Sequence, residues 1–304
     1  MINGTKGDAE HKRILHNIIE NGSWDVNPRA HYKDGTPAHS ISYNGEMSKY
    51  DLTKEIPIIT LRPIAIKKAI GELLWIYQDQ SNDLELLKSK YGVVWWDPWD
   101  IGDRTIGQRY GATVKKYNLL NNLLDELKND PCGRRHIMSL WQNADFDLPG
   151  GLHPCAFMTL WNVRYPKMDI IESTKINLEN DEIKPYLDMT LVVRSQDTPT
   201  AQVINQLQYT ILQFMIARHC NMNPGIFTYF VQNVHIYDRH LDAVYELLNR
   251  KPVKLEHEPY IWLNPEKSDF FSFTPEDIRI YEYPIDKIKE QNPQINIFKE
   301  EIAI

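Results

Sequence analysis

The sequence predicts an α+β fold in which helices pack against a large mixed β-sheet. Two patterns indicate this fold class. Residues 203–218 are apolar on nearly every side, as in a helix buried in a core. Residues 186–194 instead alternate apolar and polar side chains, as in a strand with one buried face. Because strands and helices follow each other without a regular β–α–β repeat, the pattern favours α+β over a doubly wound parallel fold.

The remaining elements follow from periodicity and from turn residues. Helices are predicted where apolar residues recur every three or four positions, over 8–20, 64–78, 119–128, 203–218 and 240–248. Strands are predicted where β-branched and aromatic residues cluster or alternate, over 58–61, 136–141, 157–164, 186–194 and 227–237. Residues 27–43, rich in Pro, Gly, His and Lys, predict a mobile loop. The polar stretch at about 165–185 predicts an extended hairpin or surface arm within one catalytic domain over 1–304.

The composition limits the classes of protein to which this chain can belong. A chain of 304 residues with 42% hydrophobic and 25% charged residues is long enough and apolar enough to bury a core. The net charge of −7 argues against a generic nucleic-acid binder. The 3 cysteines are widely spaced and show neither a disulfide framework nor a zinc-site spacing. With no leader-like start and no long apolar run, we expect a cytoplasmic protein without metal or membrane partners.

Cys155 is the strongest candidate for a nucleophile. It precedes a predicted strand in Leu-His-Pro-Cys-Ala, whereas Arg194 ends a neighbouring strand and Arg134-Arg135 opens another. A nucleophilic thiol needs a lowered pKa, which nearby positive charge supplies. The planar arginine fork also matches phosphate oxygens. If these strand ends converge, guanidinium groups surround the thiol; the alternative is a buried structural cysteine.

Glu72 lies on a predicted helix among apolar neighbours. Its carboxylate either pairs with Lys68 or is desolvated, and desolvation would raise its pKa to suit a general acid or base. Trp96 and Trp99 belong to a Trp-rich segment that is either core or a stacking platform for a flat ligand. Tyr110 follows a glycine-containing loop.

Three further side chains present hydrogen-bonding groups. Asn205, placed in the first turn of the predicted helix 203–218, is either a cap or a group that pairs with the edge of a uracil. His235 and Tyr237 are two apart on a strand and therefore share a face. They are either an aromatic core pair or two contacts for a sugar hydroxyl.

Taken together, the order and local spacing of these motifs resemble the thymidylate synthase family. The resemblance extends over residues 35–304, and its motifs are Glu72-Leu73-Leu74-Trp75, Trp96-Asp97-Pro98-Trp99, Tyr110-Gly111, Arg134-Arg135-His136-Ile137, Pro154-Cys155, Arg194-Ser195-Gln196-Asp197, Asn205 and His235-Ile236-Tyr237. It implies that dUMP and 5,10-methylenetetrahydrofolate are the substrates and that dTMP and dihydrofolate are the products. It also implies an obligate homodimer that buries one face of the sheet.

The resemblance assigns roles to individual residues. Cys155 would add to carbon 6 of the uracil ring, Glu72 would relay protons, and Tyr110 would help to remove the proton on carbon 5. The nucleotide would contact Arg194, Ser195, Asn205, His235, Tyr237 and, more weakly, Lys33, together with Arg134 and Arg135 of a second subunit. Asp197 would hold the pterin ring and, with Trp96, Trp99 and the C-terminal Ile304, line the folate site.

The chain departs from the family pattern beside the expected site. Residues 201–204, Ala-Gln-Val-Ile, stand where the family usually has Gly-x-Pro and an aromatic, and Gln232-Asn233 replaces the common Gly-Asp. The nearest alternative function is a hydroxymethylase of the same fold acting on deoxyuridylate or deoxycytidylate. A catalytically silent nucleotide- or RNA-binding relative and a purely structural protein are further alternatives, although all the expected chemical groups are present.

Overall fold

The computed structural model describes residues 1–147, 151–167, 184–300 and 303. Within these residues a seven-stranded mixed sheet forms the centre of the fold. Its strands are β2 (Ser23–Trp24), β3 (Ser40–Asp51), β4 (Ile137–Ser139), β5 (Ala156–Arg164), β6 (Tyr186–Val193), β7 (Gln196–Asp197) and β8 (Asn223–Tyr237). They are arranged in the order β2-β3-β8-β6-β5-β4, and β7 pairs with the end of β8. The pairs β6–β8 and β7–β8 are parallel, and the others are antiparallel. The predicted fold class is therefore confirmed.

Two short antiparallel pairs flank the large sheet, namely β1 (Ile2–Asn3) with β9 (Lys254–Leu255) and β10 (Tyr260–Leu263) with β11 (Ile278–Tyr281). The helices are α1 (Lys6–Asn21), α2 (Ile66–Tyr77), α3 (Leu84–Tyr91), α4 (Gly111–Lys116), α5 (Leu119–Asn129), α6 (Asn143–Phe146), α7 (Thr198–His219), α8 (Leu241–Asn249), α9 (Ile285–Gln291) and α10 (Ile297–Glu300). Helix α7 is buried around most of its circumference and packs between the sheet and α2.

Strand β3 was not predicted, because its inward-facing residues include polar ones. Glu46 is buried, and its carboxylate accepts hydrogen bonds from Arg13 at 2.7 Å and Asn17 at 2.6 Å. Ser48 is also buried and donates to Glu10 at 2.9 Å. Since α1 supplies these partners, polar residues occupy core positions without unpaired groups. The predicted loop 27–43 is therefore wrong from Ser40 onward.

The predicted strand 58–61 is also wrong. This buried stretch is not paired in a sheet; the Ile58 carbonyl accepts a hydrogen bond from the Thr5 hydroxyl at 2.5 Å. The Thr60 amide donates to the Asp8 carboxylate at 2.6 Å. The start of α1, capped by Thr5 and Asp8, thus provides the hydrogen bonds that a neighbouring strand would otherwise supply.

Other predicted elements are close to the observed ones. Helices α1, α2, α5 and α8 and strands β5 and β6 match their predictions within two residues at each end, and β4 is shorter than predicted. Helix α7 begins at Thr198, five residues before its predicted start, so Asn205 lies inside the helix and is not a cap. Most of the predicted arm at 165–185 lies outside the described residues. Among the described helices, none has the length and apolar character needed to span a membrane.

Candidate functional site

The pairing of the strands brings the predicted site residues to one edge of the sheet. Because β5 and β6 are antiparallel, Ala156 at the start of β5 pairs with Val193 at the end of β6. Cys155 and Arg194 therefore lie side by side, and the Arg194 amide donates to the Cys155 carbonyl at 2.9 Å. Strand β8 runs parallel to β6 and ends at the same edge with Tyr237.

The Arg194 guanidinium lies beside the thiol of Cys155. Its Nη2 lies 3.5 Å from Sγ, and the same group donates to the carbonyls of Pro154 at 3.0 Å and His153 at 2.8 Å. Three contacts fix the guanidinium, so its charge is held at the sulfur. Convergence of an arginine with the cysteine, predicted from sequence, is thus observed for Arg194.

The pKa of Cys155 departs from the sequence prediction. Burial raises the pKa of the thiol above its ordinary value, and the charges of Arg194 and Arg29 lower it by less than burial raises it. The expected net lowering is therefore wrong for the chain alone, because desolvation of the thiolate outweighs the guanidinium charges.

Glu72 is buried on α2, and its alternative pairing with Lys68 is not observed. The Trp95 indole donates to Glu72 Oε2 at 2.5 Å, whereas the Lys68 ammonium lies 6.0 Å from the centre of the Trp95 ring. Burial raises the pKa of Glu72 to about 7, and the side chains of Trp96, Trp95 and Gln208 partly offset this rise. At neutral pH the carboxyl group can therefore both give and accept a proton.

Tyr110 connects Cys155 to a group of packed aromatic side chains. Its hydroxyl accepts a hydrogen bond from the Cys155 amide at 3.1 Å. Its ring centre lies 5.0 Å from that of Trp96, which in turn lies 5.6 Å from Trp99. Tyr110 has a φ of 48°, a region that L-residues rarely adopt, so its backbone is strained at this point. Gly111 follows because a Cβ there would lie 2.2 Å from the Ser81 carbonyl oxygen.

His235 and Tyr237 share one face of β8, as predicted, with ring centres 5.1 Å apart. Burial lowers the pKa of His235, which favours a neutral imidazole, and Nδ1 lies 3.0 Å from Asn233 Oδ1. Asn205 faces the sheet from α7 and interacts with the hydroxyl of Tyr229. Tyr229 also donates to the buried Gln196. The Asn205 amide is consequently held in a hydrogen-bonded network rather than free to rotate.

Asp197 presents an unsatisfied acceptor at the start of α7. Its Oδ2 accepts from the Thr200 hydroxyl at 2.5 Å. Its Oδ1 is buried and has no hydrogen-bond partner among the described residues; His240 Nδ1 lies 3.9 Å away. A buried carboxylate oxygen without a donor is costly unless a ligand supplies one. Ser195 lies between Arg194 and Gln196 at the same edge.

The first turn of α7 is anchored by buried polar groups. Arg62 donates to the carbonyls of Pro199 at 2.8 Å and Thr200 at 3.2 Å. Gln202, within the segment that departs from the family pattern, lies 2.9 Å from His11 Nδ1. Burial lowers the pKa of His11 to about 4, so the imidazole is neutral near pH 7. These contacts fix the turn that carries Asp197.

The loop before β3 contributes an arginine that sequence reasoning missed. Burial raises the pKa values of Cys155 and Tyr237 and lowers that of His153, and the charge of Arg29 acts on all three groups in the lowering direction. Lys33, the residue predicted from this loop, is exposed and is not among the charges that shift the pKa values of these groups. The sequence did contain a signal for this residue, because Arg29 is a second cation in the loop from which Lys33 was predicted to approach the site.

The described part of a single chain does not bring together every predicted residue. Arg134 and Arg135 are exposed on the turn before β4, and neither is among the charges that shift the pKa of Cys155. Ile304 lies outside the described residues. Within the described ranges no cluster of three or more His, Cys, Asp or Glu side chains has the arrangement of a metal site.

An α+β fold that holds a cysteine against a guanidinium, together with a buried carboxyl group whose pKa is about 7, has the groups expected of an enzyme that works through a thiol nucleophile. Comparisons with known proteins identify the family more narrowly. The family model of thymidylate synthase matches residues 9–293. Thymidylate synthase of Lactococcus lactis subsp. cremoris is 47% identical over 92% of this chain and 95% of its own length. That of Streptococcus gordonii is 45% identical over 94% and 97%.

A solved structure agrees with this assignment. Thermostable thymidylate synthase A from Bacillus subtilis superimposes with a TM-score of 0.80 at 31% identity, covering 98% of this chain and 99% of its own. The chain belongs to the thymidylate synthase family and has the activity of a methyl-transferring enzyme of that family. The comparisons give no support to the hydroxymethylase alternative.

Proposed function

We propose that this chain catalyses the reductive methylation of dUMP to dTMP, with 5,10-methylenetetrahydrofolate as carbon donor and reductant and dihydrofolate as the second product. The observation that supports this proposal best is the pairing of Cys155 Sγ with Arg194 at 3.5 Å. The phosphate of a bound nucleotide would be attracted by the same guanidinium that stabilises the thiolate.

The proposed chemistry starts at the sulfur. The Cys155 thiolate adds to carbon 6 of the uracil ring, which makes carbon 5 nucleophilic toward the one-carbon unit of the folate. Glu72, with a pKa raised to about 7, relays the protons that the ring oxygen and the folate gain or lose. Tyr110 assists removal of the carbon 5 proton, and the bond between the one-carbon unit and the folate nitrogen then breaks. A hydride from the released tetrahydrofolate completes the methyl group and leaves dihydrofolate. Sulfur then leaves, so the thiol is regenerated.

The nucleotide would lie along the edge formed by β6 and β8. Arg194 and Ser195 contact the phosphate, joined by Arg29 of the preceding loop, with Lys33 as a weaker contact. Asn205 recognises the edge of uracil, because its amide can donate and accept at once. His235 and Tyr237 contact the sugar hydroxyl, and the neutral imidazole favoured by burial suits this uncharged partner.

The folate co-substrate fits the groups beyond the nucleotide. Asp197 Oδ1, which has no donor among the described residues, would accept a hydrogen bond from the pterin. Trp96 and Trp99 form an aromatic wall suited to a flat ring. Ile304 is proposed to close over the bound ligands. The proposed mechanism requires no metal.

A homodimer would complete the site. Arg134 and Arg135 are exposed in the single chain, and we propose that they reach the phosphate in a second subunit. Large apolar side chains on the sheet strands are also exposed, Met47 at 56% and Ile137 at 49%, as expected for a surface that a partner covers. We further propose a cytoplasmic enzyme with one catalytic domain over 1–304; its free cysteines, Cys132, Cys155 and Cys220, suit a reducing compartment.

A spectrophotometric assay for dihydrofolate formation, with and without dUMP, tests this function. Cys155→Ala is expected to bind dUMP but to lose turnover, whereas Cys220→Ala, a partly buried thiol at the end of α7, serves as the matched control and retains it. Activity that survives in Cys155→Ala would exclude the proposed nucleophile. Release of hydroxymethyl-dUMP and tetrahydrofolate, instead of dTMP and dihydrofolate, would establish the hydroxymethylase alternative.

A further inference from the structure

The loop that carries Arg29 is tied to the residues that follow β8. Arg239 Nη2 donates to Asp34 Oδ2 at 2.7 Å and to the Thr36 hydroxyl at 2.7 Å. The Arg239 guanidinium also lies 3.9 Å from the centre of the Tyr32 ring, within the range of a cation–π contact. One side chain after β8 therefore holds three residues of the loop.

A second set of hydrogen bonds connects the loop to the residues after β8. The Tyr32 hydroxyl donates to Asp238 Oδ1 at 2.5 Å, and the Arg239 amide donates to the same oxygen at 2.9 Å. Tyr32 is buried, and its amide donates to the Thr36 carbonyl at 2.9 Å, which closes the turn. We call Tyr32, Asp34, Thr36, Asp238 and Arg239 the loop clasp.

The loop clasp lies between two parts of the proposed nucleotide site. Arg29 is three residues before Tyr32, and the neighbouring Ala30 carbonyl accepts from Ala38 at 2.9 Å, which holds this limb of the loop against the other. Tyr237 directly precedes Asp238, and its ring lies 6.4 Å from that of Tyr32. Fixing the loop through Tyr32 and Arg239 therefore also fixes where Arg29 stands relative to Tyr237.

The clasp acts by ordering the loop before a ligand arrives. The Arg239–Asp34 ion pair is partly exposed, with side-chain exposures of 32% and 53%, and such a pair alone contributes little stability. The cation–π contact with Tyr32 and the Tyr32–Asp238 bond add contacts that an isolated surface pair lacks. A loop held in its binding conformation loses less conformational entropy on binding, which appears as affinity.

We propose that the loop clasp positions Arg29 for the 5′-phosphate of the nucleotide, so that Arg239 and Asp34 are positioning residues that set phosphate affinity without touching the ligand. This inference rests on the proposed binding of a nucleotide by Arg29. The proposal predicts that substitutions in the loop clasp change the affinity only for ligands that carry a phosphate.

Binding of dUMP and of deoxyuridine by isothermal titration calorimetry tests the proposal. Arg239→Met is expected to weaken dUMP binding roughly tenfold and to leave deoxyuridine binding unchanged. Asp34→Asn is the sharper variant, because removing a negative charge near the site would strengthen binding of an anion through long-range electrostatics, whereas loss of the clasp weakens it. Arg279→Met, a remote arginine whose guanidinium lies 5.4 Å from the Trp262 ring centre, is the matched control.

A double-mutant cycle with Arg29→Ala separates this inference from the proposed function. If the clasp acts through Arg29, Asp34→Asn causes no further loss of dUMP affinity in the Arg29→Ala background. An unchanged dUMP affinity in Arg29→Ala alone would overturn both the phosphate role of Arg29 and the clasp. A loss in Arg29→Ala with no loss in Asp34→Asn and Arg239→Met would overturn the clasp alone.

Thermal unfolding checks that each variant is folded. Tyr32→Phe is a milder variant that keeps the ring and removes the hydroxyl that bonds to Asp238. It too is expected to weaken dUMP binding and to leave deoxyuridine binding unchanged. Equal weakening of dUMP and deoxyuridine across these variants would show that the clasp supports the whole pocket, and would refute a role confined to the phosphate.

Discussion

Replacing Glu72 by glutamine tests whether burial of this carboxyl group controls both stability and proton transfer. The pKa of Glu72 is raised from 4.5 to about 7 by desolvation. At about 1.4 kcal/mol per pKa unit, this rise corresponds to a destabilisation of about 3 kcal/mol once the folded carboxylate is fully ionised. Glutamine has similar size and polarity and does not titrate, so Glu72→Gln removes this term.

The direction in which the stability contribution of Glu72 changes with pH follows from the difference in proton binding between the folded and unfolded states. Between pH 4.5 and about 7 the folded protein retains a proton that the unfolded chain has released. Stability from this group is therefore fully present below pH 4.5 and declines as pH rises through the folded pKa. The free energy of unfolding of Glu72→Gln, relative to the unmodified protein, is expected to rise by about 2–3 kcal/mol between roughly pH 5 and pH 8.

The assay is urea unfolding at a series of pH values and one fixed protein concentration, since dimerisation would otherwise shift the midpoint. Glu290→Gln, an exposed glutamate on α9, is the control and is expected to vary by less than about 0.5 kcal/mol. Turnover of Glu72→Gln should fall by roughly 10²–10⁴ if the group relays protons. A stability difference that is the same at both pH values would refute the argument that burial raises the pKa of Glu72.

Three further predictions follow. Asn205→Asp is expected to shift preference from dUMP toward dCMP by roughly tenfold or more in competition binding, and unchanged discrimination would reject its role in reading the uracil edge. Arg194→Met removes the cation 3.5 Å from the thiol, so alkylation of Cys155 by iodoacetamide near pH 8, followed by peptide mass spectrometry, should slow roughly tenfold, with Cys220 as internal control. Gln202→Leu leaves the buried His11 without its partner at 2.9 Å and should lower the free energy of unfolding by about 1–3 kcal/mol; no loss in urea unfolding would show that the pair is energetically neutral.

The sequence predicted those elements whose own residues determine their structure. Helix α1 and strand β6 were predicted closely because apolar periodicity and alternation are local signals. Strand β3 was missed because Glu46 occupies a core position, and its partners, Arg13 and Asn17, lie about thirty residues earlier on α1. Hydrogen-bond partners that are distant in sequence cannot be recognised from the local pattern of apolar and polar residues.

The residues of the candidate site were likewise predictable where the signal was local and not where it depended on distant parts of the chain. Motif order indicated Cys155, Glu72 and Arg194, and strand pairing brings the cysteine and the arginine into contact. Which cation of the loop lies near Cys155 depends on how the loop folds back, and the contacts of Tyr32 and Arg239 that hold the loop cannot be read from composition. The net pKa of Cys155 could not be predicted either, because it depends on how desolvation balances two guanidinium charges.

The hydrogen bond between Tyr110 and Cys155 has a directional consequence. The phenol oxygen receives the main-chain N–H of Cys155, so its own hydrogen must be turned toward some other acceptor. The peptide that carries the sulfur thereby orients the phenol. A shift of the start of β5 would consequently move the Cys155 sulfur and the Tyr110 hydroxyl together.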